Sequence, residues 1–348
     1  MNVFSLAALS AVLQGAAGGS TSGPLLPHPV TNNAVAFAVV AGEPTAFSFM
    51  GLDSTRAWNG VTGAAFSWRV GSLAWREIPP VPGPGRLAAT AQGREGKLYV
   101  IGGYTVAEGG SEKSSPSVDV YHPTRRTWTK GAPMPIPSDD AVSGLWRDSL
   151  IYVVSGWHDT GNVSAVQIYD PSADRWQAGT PIPGPPVFGH AGAIARNTIV
   201  YLDGVRTRSE PPRFLMETSG WRGDIDPTDP SHIEWRRLPP HPGPALYRAA
   251  AGSVGPWVVF AGGTDNPYNY DGIGYDGDPS SPLALVFGFN VATGEWRRFG
   301  RLAEASMDHR GLLIGDDTMI IVGGIGRGQR VSARVSVTSL TDLLISGR

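Results

Sequence analysis

The chain has 348 residues, 17% of them charged, with a formal net charge of −2 and no cysteine. That balance leaves no basic face for a nucleic-acid backbone, and the missing thiols exclude disulfides and cysteine-based metal sites. The 46 glycines and 30 prolines fall between short apolar runs, as in proteins built from short strands and tight turns.

From the amino terminus, Phe4–Leu13 is apolar and is followed by the small residues of Gly15–Gly19. This is the pattern of a signal-peptide core and cleavage zone, too short to span a bilayer. Residues 1–19 are therefore read as a signal peptide of a secreted or periplasmic protein, the other reading being a packed or disordered tail. No later run is long enough for a transmembrane helix. After export in a eukaryote, Asn162-Val163-Ser164 would be a glycosylation acceptor.

Beyond this segment one pattern recurs. A glycine doublet or its remnant closes an apolar run at Gly51, Gly103, Gly156, Gly204, Gly263 and Gly324, and tryptophans follow the first five at Trp75, Trp128, Trp176, Trp235 and Trp296. Both markers keep a period of about 50 residues, the length of a four-stranded propeller blade. The stretch Lys97–Pro135 shows the unit best: KLYVIGG, a polar loop, VDVYHP, then RRTWTKGAPMP. Each run is a short strand bounded by turn signals.

The blades run approximately over 30–80, 84–135, 138–183, 188–240, 246–302 and 308–345. The last lacks its tryptophan strand. Pro24-Leu25-Leu26-Pro27-His28-Pro29 copies the ends of other outer strands, such as Leu238-Pro239-Pro240-His241-Pro242. Residues 23–29 are therefore expected to complete the sixth blade and close the ring, proline being tolerated on an outermost strand. The fold class is an all-β, six-bladed β-propeller occupying residues 20–348 as one domain.

In each blade the innermost strand opens with a polar residue followed by small ones: Asn33, Arg86, Asp140, His190, Arg248 and Arg310. Such residues are expected at the channel mouth, where the arginines would take a carboxylate or phosphate; the plainer reading is that they tie blades together. Past the glycine doublets, Trp157 and His158 put a ring beside an imidazole. The insertion Thr264–Pro282 holds Tyr268 and Tyr270 among Asp and Asn residues. Aromatic faces among fixed acceptors suit a sugar; a solvated loop or a Ca²⁺ loop are the other readings. The insertion Val205–Ser231 carries Arg206, Arg208, Glu210, Arg213 and Glu217, either acid/base groups or a self-neutralised surface loop.

The IGG, VYHP and Trp128 pattern, with its counterparts around Trp176, Trp296 and Gly324, resembles the kelch family of propellers. The proline-rich first segment, the long loops of blades 4 and 5 and the MDHRG segment at 307–311 are similar to the exported sialate mutarotase (N-acetylneuraminate epimerase) group. That resemblance implies a catalytic Glu directly after an Asn-Gly pair in blade 4, with an Arg nearby. Here the pair reads Asp203-Gly204 and Val205 follows, so the Glu does not carry over; Arg213 is the nearest Arg. The resulting expectation is a carbohydrate or small acidic ligand on the loop face, bound by Asn33, Arg86, Asp140, Trp157, His158, Arg213, Arg248, Tyr268, Tyr270 and Arg310. Glu210 or His190 would transfer protons in a mutarotase-like ring opening that uses no cofactor and no metal. A non-catalytic propeller docking a protein partner, or one attached to a polymeric glycan, are the competing readings.

Overall fold

The computed structural model describes residues 21–315 and 318–340; the expected signal peptide lies outside them. The chain forms a six-bladed β-propeller of antiparallel sheets. The innermost strands are Ala34–Val40, Leu87–Arg94, Val142–Trp146, Ala191–Ala195, Ala250–Val254 and Leu313–Ile314. Alanine and glycine dominate them because inner strands converge on one axis, where larger side chains would hold the backbones apart. In blade 2 an additional strand, Glu112–Ser114, pairs with the end of Lys97–Val106. Two-stranded ribbons rise from blades 3, 4 and 6, at Trp157–His158 with Gly161–Asn162, Val205–Thr207 with Phe214–Met216, and Ile325–Gly326 with Arg330–Val331. Among the described residues no helix is long and apolar enough to cross a membrane.

A sheet buries its faces only against another layer, and here apolar clusters fill each space between neighbouring blades. Phe47 and Phe49 of blade 1 meet Tyr121 of blade 2. Across the junction of last and first blades, Ile320 and Val335 meet Val35, Phe66 and Leu26. A second tie repeats at the rim. The indole N–H of Trp128 donates to Pro79 O at 2.9 Å, Trp176 to Ala132 O at 2.8 Å, Trp235 to Thr180 O at 3.2 Å and Trp296 to Pro239 O at 2.9 Å. Each acceptor belongs to the preceding blade, and Trp75 donates likewise to Pro24 O at 3.1 Å.

The outer strand expected over 23–29 takes a different form. Pairing with Val335–Ser339 is made by Thr21–Ser22. Residues 23–29 run on as irregular chain, with Gly23 N–H donating to Val335 O and Leu26 N–H to Ala333 O. Pro24, Pro27 and Pro29 have no N–H to give, so a continuous ladder cannot run through them. The acceptor expected at Asn162 is also unsuited to glycan attachment: its Nδ2 donates to Pro186 O and Val205 O, at 2.6 and 2.8 Å.

The doublet glycines recur because backbone approaches backbone at left-handed φ. Gly103 has φ +84°, and a Cβ there would lie 2.6 Å from Leu87 O; Gly109, at φ +90°, has open space around it. Gly109→Ala is expected to cost about 1 kcal/mol from backbone conformation alone, and Gly103→Ala about 3 kcal/mol or more. Urea unfolding measures both, and equal costs would show that the close approach is not what demands glycine.

Candidate functional site

Six residues, one per blade, form a closed hydrogen-bonded ring at the hub. Asn32 N–H donates to Asp308 O (3.2 Å), Asp308 to Arg248 O (3.1 Å), Arg248 to Gly189 O (2.7 Å), Gly189 to Asp140 O (2.9 Å) and Asp140 to Ala88 O (3.1 Å). Ala88 N–H closes the circle on the side-chain carbonyl of Asn32 at 2.6 Å. All six have left-handed φ, between 48° and 70°. In blade 4 only glycine fits, because a Cβ on Gly189 would fall 2.1 Å from the ring of Tyr247. The residue before each ring member pairs with the residue after that blade's glycine doublet, as in Asp139 with Trp157, Phe188 with Val205 and Tyr247 with Thr264. Every loop of this face therefore starts from a point stitched to the hub.

Four ring-level side chains neutralise one another. Arg248 pairs with Asp140 at 2.6 Å and Asp308 at 3.2 Å; Arg310 pairs with the same carboxylates at 2.7 and 3.5 Å. All four are buried. Asp140 stays below the ordinary carboxylate range because the two arginines outweigh its desolvation. Asp139 beside it goes the other way: burial and the Asp140 charge raise its carboxyl well up. Its Oδ2 accepts from Ser114 Oγ at 2.6 Å, a bond that pulls the other way.

Above the ring lies an aromatic floor. Arg248 stands 4.8 Å from the Tyr247 ring centroid and 5.0 Å from that of Tyr268, and both tyrosines are fully buried. Tyr268 comes from the blade 5 insertion, which crosses the mouth. Tyr270 packs with Leu87 and Tyr104 of blade 2, Tyr275 stacks on Phe214 of blade 4 at 4.0 Å, and the carbonyl of Asp271 accepts from Arg56 of blade 1 at 2.6 Å. Arg213 leans over Trp157 and Phe214, 5.7 and 5.3 Å from their centroids. It has no carboxylate partner among the described residues; its Nη2 donates to Thr160 O at 3.1 Å.

Glu112 faces this assembly. Glu112 is exposed to solvent on one side; partial desolvation on the other moves its carboxyl up, to about 7, against the pull of Arg248, with Asp140 and Asp271 adding to the rise. Its charge is felt in turn by the hydroxyls of Tyr270 and Tyr275. Burial holds the Tyr275 hydroxyl protonated throughout the neutral range.

The structure gathers only part of the expected site. Asp140, Arg248 and Arg310 do meet at the hub, but enclosed with Asp308 rather than open to an anion. Arg86 turns into its own blade and pairs with Asp119 at 2.8 Å. Asn33 donates to Ser48 Oγ at 2.8 Å and is buried. His190 lines the central tunnel, a cavity of about 250 Å³, and its Nε2 lies 3.0 Å from Val154 O. Glu210 is exposed at the far turn of the blade 4 ribbon. Trp157, His158, Arg213, Tyr268 and Tyr270 all rise on the loop face. Sequence reasoning passed over Glu112 and gave Asp308 no role; Asp308 carried a signal within the MDHRG segment, and Tyr275 belongs to the insertion Thr264–Pro282 that the sequence singled out.

A kelch motif model matches residues 85–135, the blade containing Arg86, Glu112 and Trp128. No curated protein matches the chain. Among solved structures, the one titled "Structure of YjhT" is similar over 91% of this chain and 99% of its own, at 19% identity with a TM-score of 0.72. At that identity the likeness bears on the fold.

Removing one carboxylate from the hub leaves two buried arginines short of charge. Asp140→Asn is expected to cost about 3–5 kcal/mol in urea unfolding, while Arg213→Ala, at the surface, stays within about 0.5 kcal/mol. A cost near zero for Asp140→Asn would mean that water reaches the hub. Burial also lowers His190 and His309 to about 4. Their neutral forms are favoured by the fold, so this stability is complete above the unfolded value near 6.5 and is lost as pH falls towards 4, by up to about 3 kcal/mol for each ring. A His190→Gln/His309→Gln variant should flatten the pH dependence of the urea midpoint over that window; an unchanged slope would refute the assignment.

Proposed function

We propose that the loop-bearing mouth binds an acidic carbohydrate and interconverts its anomers by acid/base catalysis, in a protein exported by way of residues 1–19. The observation that carries this reading is Glu112, whose carboxyl is raised to about 7 and whose charge is felt by the Tyr270 and Tyr275 hydroxyls, on the face where Arg213 stands with no carboxylate partner among the described residues. Tyr275, stacked on Phe214, offers a flat apolar face for the C–H side of a sugar ring. Arg213, backed by Trp157 and Phe214, offers a planar fork to a carboxylate.

The chemistry balances without a cofactor. The anomeric hydroxyl loses its proton to a base, the bond from the anomeric carbon to the ring oxygen breaks, and the ring oxygen takes up a proton as the carbonyl forms. Reclosure on the other face reverses these steps. A group titrating near 7 serves in both directions at neutral pH, so Glu112 takes the role that the sequence reading gave to Glu210 or His190. The Tyr275 hydroxyl, always protonated, acts as a hydrogen-bond donor. Arg248 and Arg310 contribute through the field of the hub and do not touch ligand.

Calorimetry with N-acetylneuraminate and the neutral N-acetylmannosamine tests the binding half. The acidic sugar should bind, and Arg213→Ala should weaken it about 10-fold or more with the melting temperature unchanged. In exchange NMR, Glu112→Gln should slow anomer interconversion about 100-fold while binding persists. Binding that ignores Arg213→Ala, or none at all, would favour a protein-docking face. Unchanged exchange in Glu112→Gln would leave a lectin without catalysis.

A further inference from the structure

Away from the mouth, a groove of about 690 Å³ runs between the end of blade 5's outer strand and the blade 6 ribbon. Its walls carry Arg301, Arg327, Arg330 and Arg334, with Glu304 as the single acid. Arg334 is engaged, pairing with Glu304 at 2.7 Å. The other three have no ion-pair partner among the described residues and are exposed, which leaves a net charge of +3 on one concave surface of a protein whose total is −2. Unpaired guanidinium groups in a concavity keep all their fork donors available.

The floor between them is apolar, built from Leu302, Ala305 and Val331, and Leu25, 63% exposed, stands at the edge. No aromatic side chain lines the groove, so it lacks the stacking platform of the mouth and suits a sugar poorly. One wall is held in place from behind: Gln329 in the ribbon accepts from Arg56 Nη1 at 2.8 Å and its amide donates to Ser280 O. The wall is thus tied to blade 1 and to the blade 5 insertion, and a preformed groove loses less ordering entropy on binding.

We infer that this groove is a docking site for an extended acidic peptide segment of a partner protein, its carboxylates on Arg301, Arg327 and Arg330 and its aliphatic side chains on the apolar floor. The volume falls in the range of specific ligand sites, roughly 300–1,000 Å³. Acidic and aliphatic residues in alternation match both features of the surface. The chain's own first 20 residues contain no Asp or Glu, so they do not complement it.

Fluorescence anisotropy on the full chain tests this with a labelled peptide of alternating Glu and Leu, its Gln–Leu counterpart, and polygalacturonate as competitor. The Glu–Leu peptide should bind at least about 10-fold more tightly than the Gln–Leu form and weaken as salt rises. Arg327→Ala/Arg330→Ala should lose about 10-fold or more with an unchanged melting curve; Arg301→Ala gives an independent second reading. Arg334→Ala, already engaged by Glu304, should change binding less. Equal affinity for both peptides, binding indifferent to the arginines, or capture of polygalacturonate while the peptide fails to bind would each overturn the inference.

Discussion

Everything in this molecule hangs on six backbone segments meeting at one axis with their polar groups satisfied. Buried N–H and C=O groups must find partners, and here each hub N–H finds the carbonyl or side chain of the neighbouring blade. The geometry demands left-handed φ at all six positions. Asn, Asp and Gly adopt it readily; Ala88 and Arg248 do so at some cost. For Arg248 the cost is offset by two carboxylates and two tyrosine rings on one guanidinium. The closed ring therefore accounts both for the mixed residue types at the hub and for the buried charges gathered there.

Those charges decide where chemistry can occur. Two arginines and two aspartates cancel at the hub, and burial raises the Asp139 carboxyl beside them. An anion arriving there would have to displace carboxylates already desolvated and bonded, so the proposed ligand sites rest on cations without carboxylate partners among the described residues. Arg213 at the mouth and the three arginines of the rim groove are in that position. The two surfaces differ in what surrounds the charge, rings in the first and small aliphatic side chains in the second, and on this difference rests the proposal of a sugar for one and a peptide for the other.

The fold was legible because its period is written twice, in glycine doublets and in tryptophans. Both marks have structural reasons: the doublets permit close backbone approach, and each indole ties its blade to the one before. The strand expected over 23–29 does not form, yet Pro24 O accepts from Trp75 as Pro79 O does from Trp128. The hub register was not legible. A rule of polar-before-small picks Asn33, Arg86, His190 and Arg310, whereas the ring uses Asn32, Ala88, Gly189 and Asp308, because backbone conformation and not side-chain polarity selects the position. Glu112 was out of reach for another reason. Its carboxyl is raised first by desolvation and then by Asp140 and Asp271, against the pull of Arg248, residues that blades 3 and 5 bring to blade 2 from distant parts of the chain.

The departure from sixfold symmetry is what turns a scaffold into a site. Six equal blades would leave an open channel ringed by equivalent loops. Here the blade 5 insertion lays Tyr268 over Arg248, reaches blade 2 through Tyr270 and meets the blade 4 ribbon through Tyr275 and Phe214. The channel is thereby covered from this side, and the polar tunnel lined by His190 and His309 is separated from the mouth by the charged ring and its tyrosine floor. Glu112 stands exposed at the edge of this cover, where partial desolvation and the Asp140 and Asp271 charges raise its carboxyl against the pull of Arg248. The crossing insertion thus does for blade 2 what no residue of blade 2 does for itself.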